Sequence, residues 1–286
     1  MDKDARNTII VVAVAVLIIA VGFIGISQAS GVSPPQTVVE SQSMQHGRES
    51  QIGIIDTGDV VLLKSRDKVN ILSYVDGYKT GYKMFGSYGD VIIYDRGPNL
   101  NPVIHRAILW LDYNEADKTW SAPSLIGYPL ELWYSNNMDP MKLSGVFRMF
   151  DMGYAGDKTA EIDLNNLARS YPHSGYLTMG DNNPNFDQPA SISGVSGLIE
   201  YEKIRSVAWI EIPWVGTLKM ALNGKMDIID REVPNTVPCL SAMILLVIFL
   251  IIGISFLFDY RYYGKHRKEL YKEMNAPTPS FPVEDD

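Results

Sequence analysis

Three segments of this chain hold side chains that can attack a carbonyl or move a proton. The run Glu40-Ser-Gln-Ser-Met-Gln-His46 places Ser43 in a polar loop. A serine hydroxyl is a weak nucleophile until a base stands within hydrogen-bond reach. The histidines available as that base are His46, His105, His173 and His266. His266 falls in a basic tail beyond a long apolar run, and His173 sits in the turn sequence Tyr171-Pro-His-Ser-Gly175. His46 is so close to Ser43 in sequence that local geometry rarely lets it serve. His105 lies in the apolar strand pattern Val103-Ile-His-Arg106. The bland reading there is a buried histidine satisfied by backbone; the functional one is a general base. An imidazole with its ordinary pKa of about 6.5 accepts a proton at neutral pH. The third segment, Gly175-Tyr-Leu-Thr-Met-Gly-Asp-Asn-Asn183, runs as a strand into a polar turn and brings Asp181, with Asp187 following. Either aspartate can orient a histidine. Turn chemistry favours Asp187, because Asp181, between Gly180 and two asparagines, is placed to close its own turn.

These residues must be positioned by a domain held between two apolar stretches. Thr8 to Ile26 is 19 uncharged residues and Cys239 to Phe258 is 20. A helix rises about 1.5 Å per residue, so about 20 such residues cross a bilayer. The first run exceeds the roughly 7–15 residues of a signal-peptide core, which favours an uncleaved anchor. Arg261, Lys265, Arg267, Lys268 and Lys272 follow the second run, and basic flanks stay in the cytoplasm. The expected plan is a cytoplasmic N-terminus over 1–7, a span over 8–26 and an exported domain over 27–237. A second span over 239–258 and a cytoplasmic tail over 259–286 complete it.

The exported segment has 18 Lys and Arg against 25 Asp and Glu, a net charge of −7. Nucleic-acid binding wants a basic face, so it is excluded as a partner. The single cysteine, Cys239, allows no intramolecular disulfide and no cysteine-rich metal site. Ser27 to Gln36, with Gly, Ser and two prolines, reads as a linker. Asp59–Lys64, Val91–Tyr94, Pro102–Trp110, Ala208–Ile212 and Trp214–Met220 are short β-branched and aromatic runs bounded by Gly, Pro or Asp. They predict a mainly β barrel or sandwich. Residues 111–170 are weakly periodic and read as an insertion on the domain surface, with a short helix over Asp163–Ser170; a substrate-facing lid is the other reading. Asn275–Asp286 has the composition of a disordered tail.

Taken in order, these segments resemble signal peptidase I. Ser41-Gln-Ser-Met44 resembles the family's Ser-x-Ser-Met box. Thr57-Gly-Asp-Val-Val-Leu62 and Gly89-Asp-Val-Ile92 resemble its two Gly-Asp-Val segments. Val103-Ile-His-Arg106 resembles the His-Arg strand of the archaeal and endoplasmic-reticulum branch, where the bacterial branch uses a lysine. Met179-Gly-Asp-Asn-Asn183 resembles the Gly-Asp-Asn-Asn box, with Asp187 as the acid six residues on. Ile212-Pro-Trp-Val-Gly216 resembles a Pro-aromatic-x-Gly segment. The chain departs from the pattern at His46, where members often have Pro, and in the long stretch from His105 to Asp181.

The resemblance implies the signal peptidase β fold and a Ser-His-Asp endopeptidase. Ser43 would be the nucleophile and His105 the base, with Asp187 or Asp181 as its orienting acid. The Ser43 amide and the Ser41 hydroxyl would hold the oxyanion. It implies no metal or organic cofactor. Its implied partners are the signal peptides of exported preproteins, the lipid bilayer and the translocation machinery. Two rival readings are a non-catalytic, membrane-tethered β domain for envelope binding or assembly, and a related peptidase that processes other exported substrates. The first leaves the ordered Ser, His and Asp without a purpose.

Overall fold

Burial follows the sequence pattern of the strands that carry the site. In Val60–Ser65 every second residue is buried, and in Val103–Asn114 the buried side chains run almost without a break. The computed structural model describes residues 3–188, 192 and 194–274. They divide into two compact units, residues 1–237 and 238–286. The predicted tail over 275–286 lies outside the described residues.

The first unit opens with helix α1 (Lys3–Ser30). Strands β1 (Gln36–Val38) and β2 (Val60–Ser65) follow, then helix α2 (Tyr74–Thr80) and the small hairpin β3 (Lys83–Met84) and β4 (Ser87–Tyr88). Next come β5 (Val91–Tyr94), β6 (Val103–Asn114), β7 (Thr119–Ser121), β8 (Trp133–Ser135), β9 (Val146–Met152) and β10 (Lys158–Asp163). Helix α3 (Leu164–Ser170), β11 (Gly175–Met179), β12 (Ile204–Ile212) and helices α4 (Thr217–Leu222) and α5 (Met226–Glu232) complete the unit. The chain is mainly β. One curled antiparallel sheet has the order β1-β2-β12-β5-β6-β11, with β7 folding back on β6. The central strand β5 is buried on both faces.

The second unit is the greater part of helix α6 (Thr236–Met274). Among the described residues, only Thr236–Ile254 forms a helix long and apolar enough to cross a membrane. The earlier predicted span falls inside α1, where the apolar helix among the described residues is the shorter Val16–Ser30. The predicted linker is partly helical, since α1 continues to Ser30. Its C-terminal carbonyls at Gln28 and Ala29 accept from Lys68 Nζ, at 2.6 and 3.4 Å. A cation there satisfies groups that the helix itself leaves open.

Two strand-level expectations are corrected. Trp214–Met220 is not a strand. Pro213 has no N–H to continue the ladder, and Trp214 turns the chain out of the sheet at φ 63°. Its N–H donates to Asp59 Oδ1 at 2.8 Å and its ring Nε1–H to Ser50 Oγ at 3.0 Å, and α4 follows. Residues 111–170 are more than a surface insertion. Strands β8, β9 and β10 form their own sheet. Trp120, Trp133, Phe147, Met149, Ile162 and Leu167 fill the largest core cluster, packed with Leu109 and Leu177 of the main sheet. The predicted helix is α3, capped by Asp163, whose carboxylate accepts from the N–H groups of Asn165 and Asn166.

Beneath the Trp214 turn three carboxyl groups crowd together. Asp56 and Asp59 are buried and Glu211 is half-buried. Asp56 Oδ1 and Glu211 Oε1 have no hydrogen-bond partner. Burial pushes Asp59 up to about 8 and Glu211 up to about 7, and raises Asp56. The folded state therefore holds protons that the unfolded chain gives up at ordinary carboxylate pH. The stability this contributes is complete below that range and is lost as pH rises through about 7 to 8. Thermal midpoints measured in detergent should fall across that window. Asp59→Asn should flatten the fall while lowering stability throughout, because its amide nitrogen cannot accept from the N–H of Asp56 or Trp214 as a carboxyl oxygen does. An unchanged pH slope in Asp59→Asn would remove Asp59 as its source.

Candidate active site

Ser43 is held by its neighbours. It sits in a 3-10 turn, Gln42–Met44, entered from an extended Ser41 at φ −147° and ψ 156°. Met44 is buried against Val39, Ile55, Val61 and Phe85, which nails the turn to the sheet. Gln45 is buried too; its Oε1 accepts from Thr57 Oγ1 at 2.6 Å and its Nε2 donates to Gly47 O at 3.0 Å. Ser43 stays half-buried, its Oγ 3.4 Å from Ser41 Oγ. Its amide lies in the first turn, where a helix offers no internal acceptor. From the other side the 180–183 turn binds the loop. Asn182 donates its N–H to Ser43 O at 2.8 Å and its Nδ2 to Gln42 O at 3.0 Å.

His105 projects from β6 and is 2% exposed. Its Nδ1 lies 2.7 Å from Asp187 Oδ2. That oxygen also accepts from Thr178 Oγ1 at 2.6 Å and Tyr94 OH at 2.7 Å. Asp187 is fixed in turn by its own N–H on Thr178 O at 2.8 Å. Burial pushes its carboxyl up, but His105 and the two hydroxyls outweigh that and hold it below the usual range. An ionised carboxylate only accepts, so Nδ1 carries a proton, and in the neutral ring that leaves the lone pair on Nε2. That is the tautomer a general base needs.

Asp181 is bound elsewhere. Arg106, next to His105 but on the opposite face of β6, forks onto it, Nε to Oδ1 at 2.7 Å and Nη2 to Oδ2 at 2.5 Å. Its Nη1 donates to the carbonyls of Gly89 at 2.8 Å, Met84 at 3.1 Å and Tyr88 at 3.2 Å, so the hairpin β3–β4 closes around it. His46 Nε2 lies 3.0 Å from Asp181 Oδ2. Burial pushes Asp181 up, and the Arg106 charge with these hydrogen bonds brings it below the ordinary value. Sequence reasoning had Asp181 closing its own turn; its carboxylate instead meets a buried guanidinium and an imidazole.

Gly180 joins the two halves. A Cβ there would lie 2.5 Å from Ser43 O and 2.9 Å from His105 Nε2. The glycine is required by this close approach and not by a positive φ. The site opens into a cleft of about 600 Å³ lined by Thr37–Ser41, Ser43, Arg96, Asn101–His105, Asn183 and Lys219, among others. Along it, among the described residues, β1 pairs with β2 alone, and Val103–His105 pairs with β5 while β11 ends opposite Arg106. Among the described residues both segments thus present a strand edge without a partner strand. Glu40 on the rim is lowered by its hydrogen bond to Lys225, and Lys219 lies 3.3 Å from it.

Ser41, Ser43 and His105 therefore share one cleft, and Asp187 stands behind His105. Asp181 and His46 stand together outside its lining. His173 is apart, 3.9 Å from Glu200, and His266 is on α6. Among the described residues no group of three His, Cys, Asp or Glu is arranged to hold a metal ion. Sequence reasoning did not find Tyr94 or Thr178 as partners of Asp187, nor the Arg106 fork. Thr178 carried a signal, since alternation along β11 puts it on the face opposite Leu177 and Met179. Tyr94 carried none. No protein-family model matches this chain, and no curated protein matches it either.

Proposed function

We propose that this chain is a membrane-bound serine endopeptidase of the signal peptidase I type, in the branch that uses Ser, His and Asp. The observation that carries the reading is the pairing of Ser43 and His105 in one cleft, with His105 Nδ1 held at 2.7 Å by a buried, ionised Asp187. His105 Nε2 takes the proton from Ser43 Oγ, which attacks the scissile carbonyl. The developing oxyanion is held by the Ser43 N–H and the Ser41 hydroxyl; losing one such donor costs about 3 kcal/mol. His105 then protonates the leaving amine, and water releases the acyl group by the reverse sequence. Ser43 and His105 do not hydrogen-bond in the resting arrangement. The contact closes when substrate fills the cleft, as such bonds often do.

The substrate is an extended segment of an exported preprotein, added as a strand to the free edges of β1 and Val103–His105. The family's preference for small residues before the cut belongs to the same proposal. The apolar helix Thr236–Ile254 supports membrane attachment. Anchorage by both α1 and α6, with the domain outside the cytoplasm, extends the reading on the strength of the basic flanks.

The test is cleavage of a preprotein by the full chain in detergent, with the cut located by mass spectrometry and a Ser43→Ala protein as blank. A single cut at the signal-peptide boundary, absent from the blank, is the expected result. Cuts only within other exported sequences would favour the related peptidase that processes different substrates. No Ser43-dependent cut in any preprotein would end the enzymatic reading.

A further inference from the structure

His46 stands where members of the resembled family often carry proline, and it is built into a contact that reaches the far sheet. Because Asp181 is ionised, His46 Nε2 must be the donor in their 3.0 Å hydrogen bond. The imidazole is stacked on Tyr154, with ring centroids 4.1 Å apart and planes 9° from parallel. Gly86 backs the imidazole: a Cβ there would lie 2.7 Å from His46 Cε1. Tyr154 belongs to the turn that joins β9 to β10, and Lys158, the first residue of β10, donates its Nζ to the backbone carbonyl of Asp181. Asn182, the next residue, holds Ser43 O. The contacts close a ring from Ser43 through His46, Asp181 and Asn182 back to Ser43, with the β9–β10 hairpin pressing on it from one side.

We propose that the β9–β10 hairpin is a clamp on the nucleophile loop, acting through His46. The region 111–170 would then serve the site by positioning Ser43. His46 is a positioning residue, since it neither lines the cleft nor touches His105. The proposal rests on the reading of Ser43 as nucleophile. Two contacts on one imidazole fix both its plane and its tilt. Without Tyr154 the ring is free to turn about its remaining bond to Asp181, which loosens the one tether between the Ser43 segment and the 180–183 turn that does not run through Asn182. A nucleophile displaced by about 1 Å typically costs about a hundredfold in rate.

The test uses the full chain in detergent with two readouts, preprotein cleavage and hydrogen exchange at the amides of residues 41–47 and of Asn182. Tyr154 is 41% exposed, so its replacement spares the core. Tyr154→Ala should lower kcat roughly ten- to a hundredfold with little change in KM, and should speed exchange in that segment about tenfold while β5 and β6 keep theirs. Tyr154→Phe, which keeps the stack, should behave as the parent. His46→Gln, which keeps a donor toward Asp181, should recover part of what His46→Ala loses. The Tyr154 and His46 losses should be less than additive, because both remove one contact. An active parent whose Tyr154→Ala variant keeps both its kcat and its exchange pattern would overturn the clamp and leave the peptidase reading standing. A parent without peptidase activity whose segment still loosens in Tyr154→Ala would overturn the peptidase reading and keep the mechanical link.

Discussion

Asp187→Asn is expected to lower kcat by about four orders of magnitude, nearly as far as Ser43→Ala, in a protein that still folds. The reason lies in the tautomer. An ionised Asp187 accepts from His105 Nδ1, which leaves Nε2 unprotonated. Asparagine can accept the hydroxyls of Thr178 and Tyr94 through its one oxygen. Its NH2 then faces His105, and the imidazole must accept at Nδ1 and carry its proton at Nε2. A protonated Nε2 cannot take the proton of Ser43, and the imidazolium formed during attack loses its counter-charge. Steady-state cleavage measured beside thermal unfolding checks both halves. Turnover within tenfold of the parent would remove Asp187 from the role. Turnover lost in step with folding would make its role structural.

Arg106→Met is expected to be the most damaging change to stability, at about 3–5 kcal/mol, the usual consequence of removing one partner of a buried ion pair. Arg106 is fully buried and satisfies both oxygens of Asp181. Its remaining nitrogen serves carbonyls of the β3–β4 hairpin. Methionine fills the volume but leaves the charged carboxylate with His46 as its remaining side-chain donor and takes the Arg106 donor from those carbonyls. A thermal midpoint lower by about 10 °C would correspond, at about 2–4 °C per kcal/mol for a domain of this size. Arg106→Lys should recover only part, because an ammonium cannot span the planar fork. Adding Asp181→Asn to Arg106→Met should return part of the loss, since the orphaned charge goes with it. Arg106→Met with a midpoint within about 2 °C of the parent would show that the guanidinium is not what holds the two segments together.

The parts of this arrangement that were legible in the sequence are the ones governed by local rules. The β2, β5 and β6 runs announced themselves by β-branched residues between Gly, Pro and Asp. The cap at Asp163 and the turn glycines at Gly58 and Gly89 follow from backbone preferences alone. Preference for Asp187 over Asp181 followed from turn chemistry, though the turn is not what occupies Asp181. The rest depends on partners distant in sequence. Nothing near Arg106 in sequence names its partner, because Asp181 reaches it only when the 180–183 turn folds over β6. Tyr94 and Thr178 become donors only when β5 and β11 flank β6. Strand β9 alternates only over its first half, with Phe147 and Met149 buried, and breaks step before Met152. Strands β7 and β8 are three residues each, too short for a period to show, so the core they help build stayed hidden. Trp214 looked like strand because it is aromatic; the proline before it carried the better information.

Gly180 has a consequence for reading other genomes. The carbonyl of Ser43, the side-chain amide of Asn183 and Nε2 of His105 all crowd the place where its side chain would be. A chain of this architecture with even alanine at that position must push the serine loop and the histidine apart before it can fold. A comparison that checks only Ser43, His105 and Asp187 would pass such a chain, although its serine loop and its histidine could no longer sit as close as they do here.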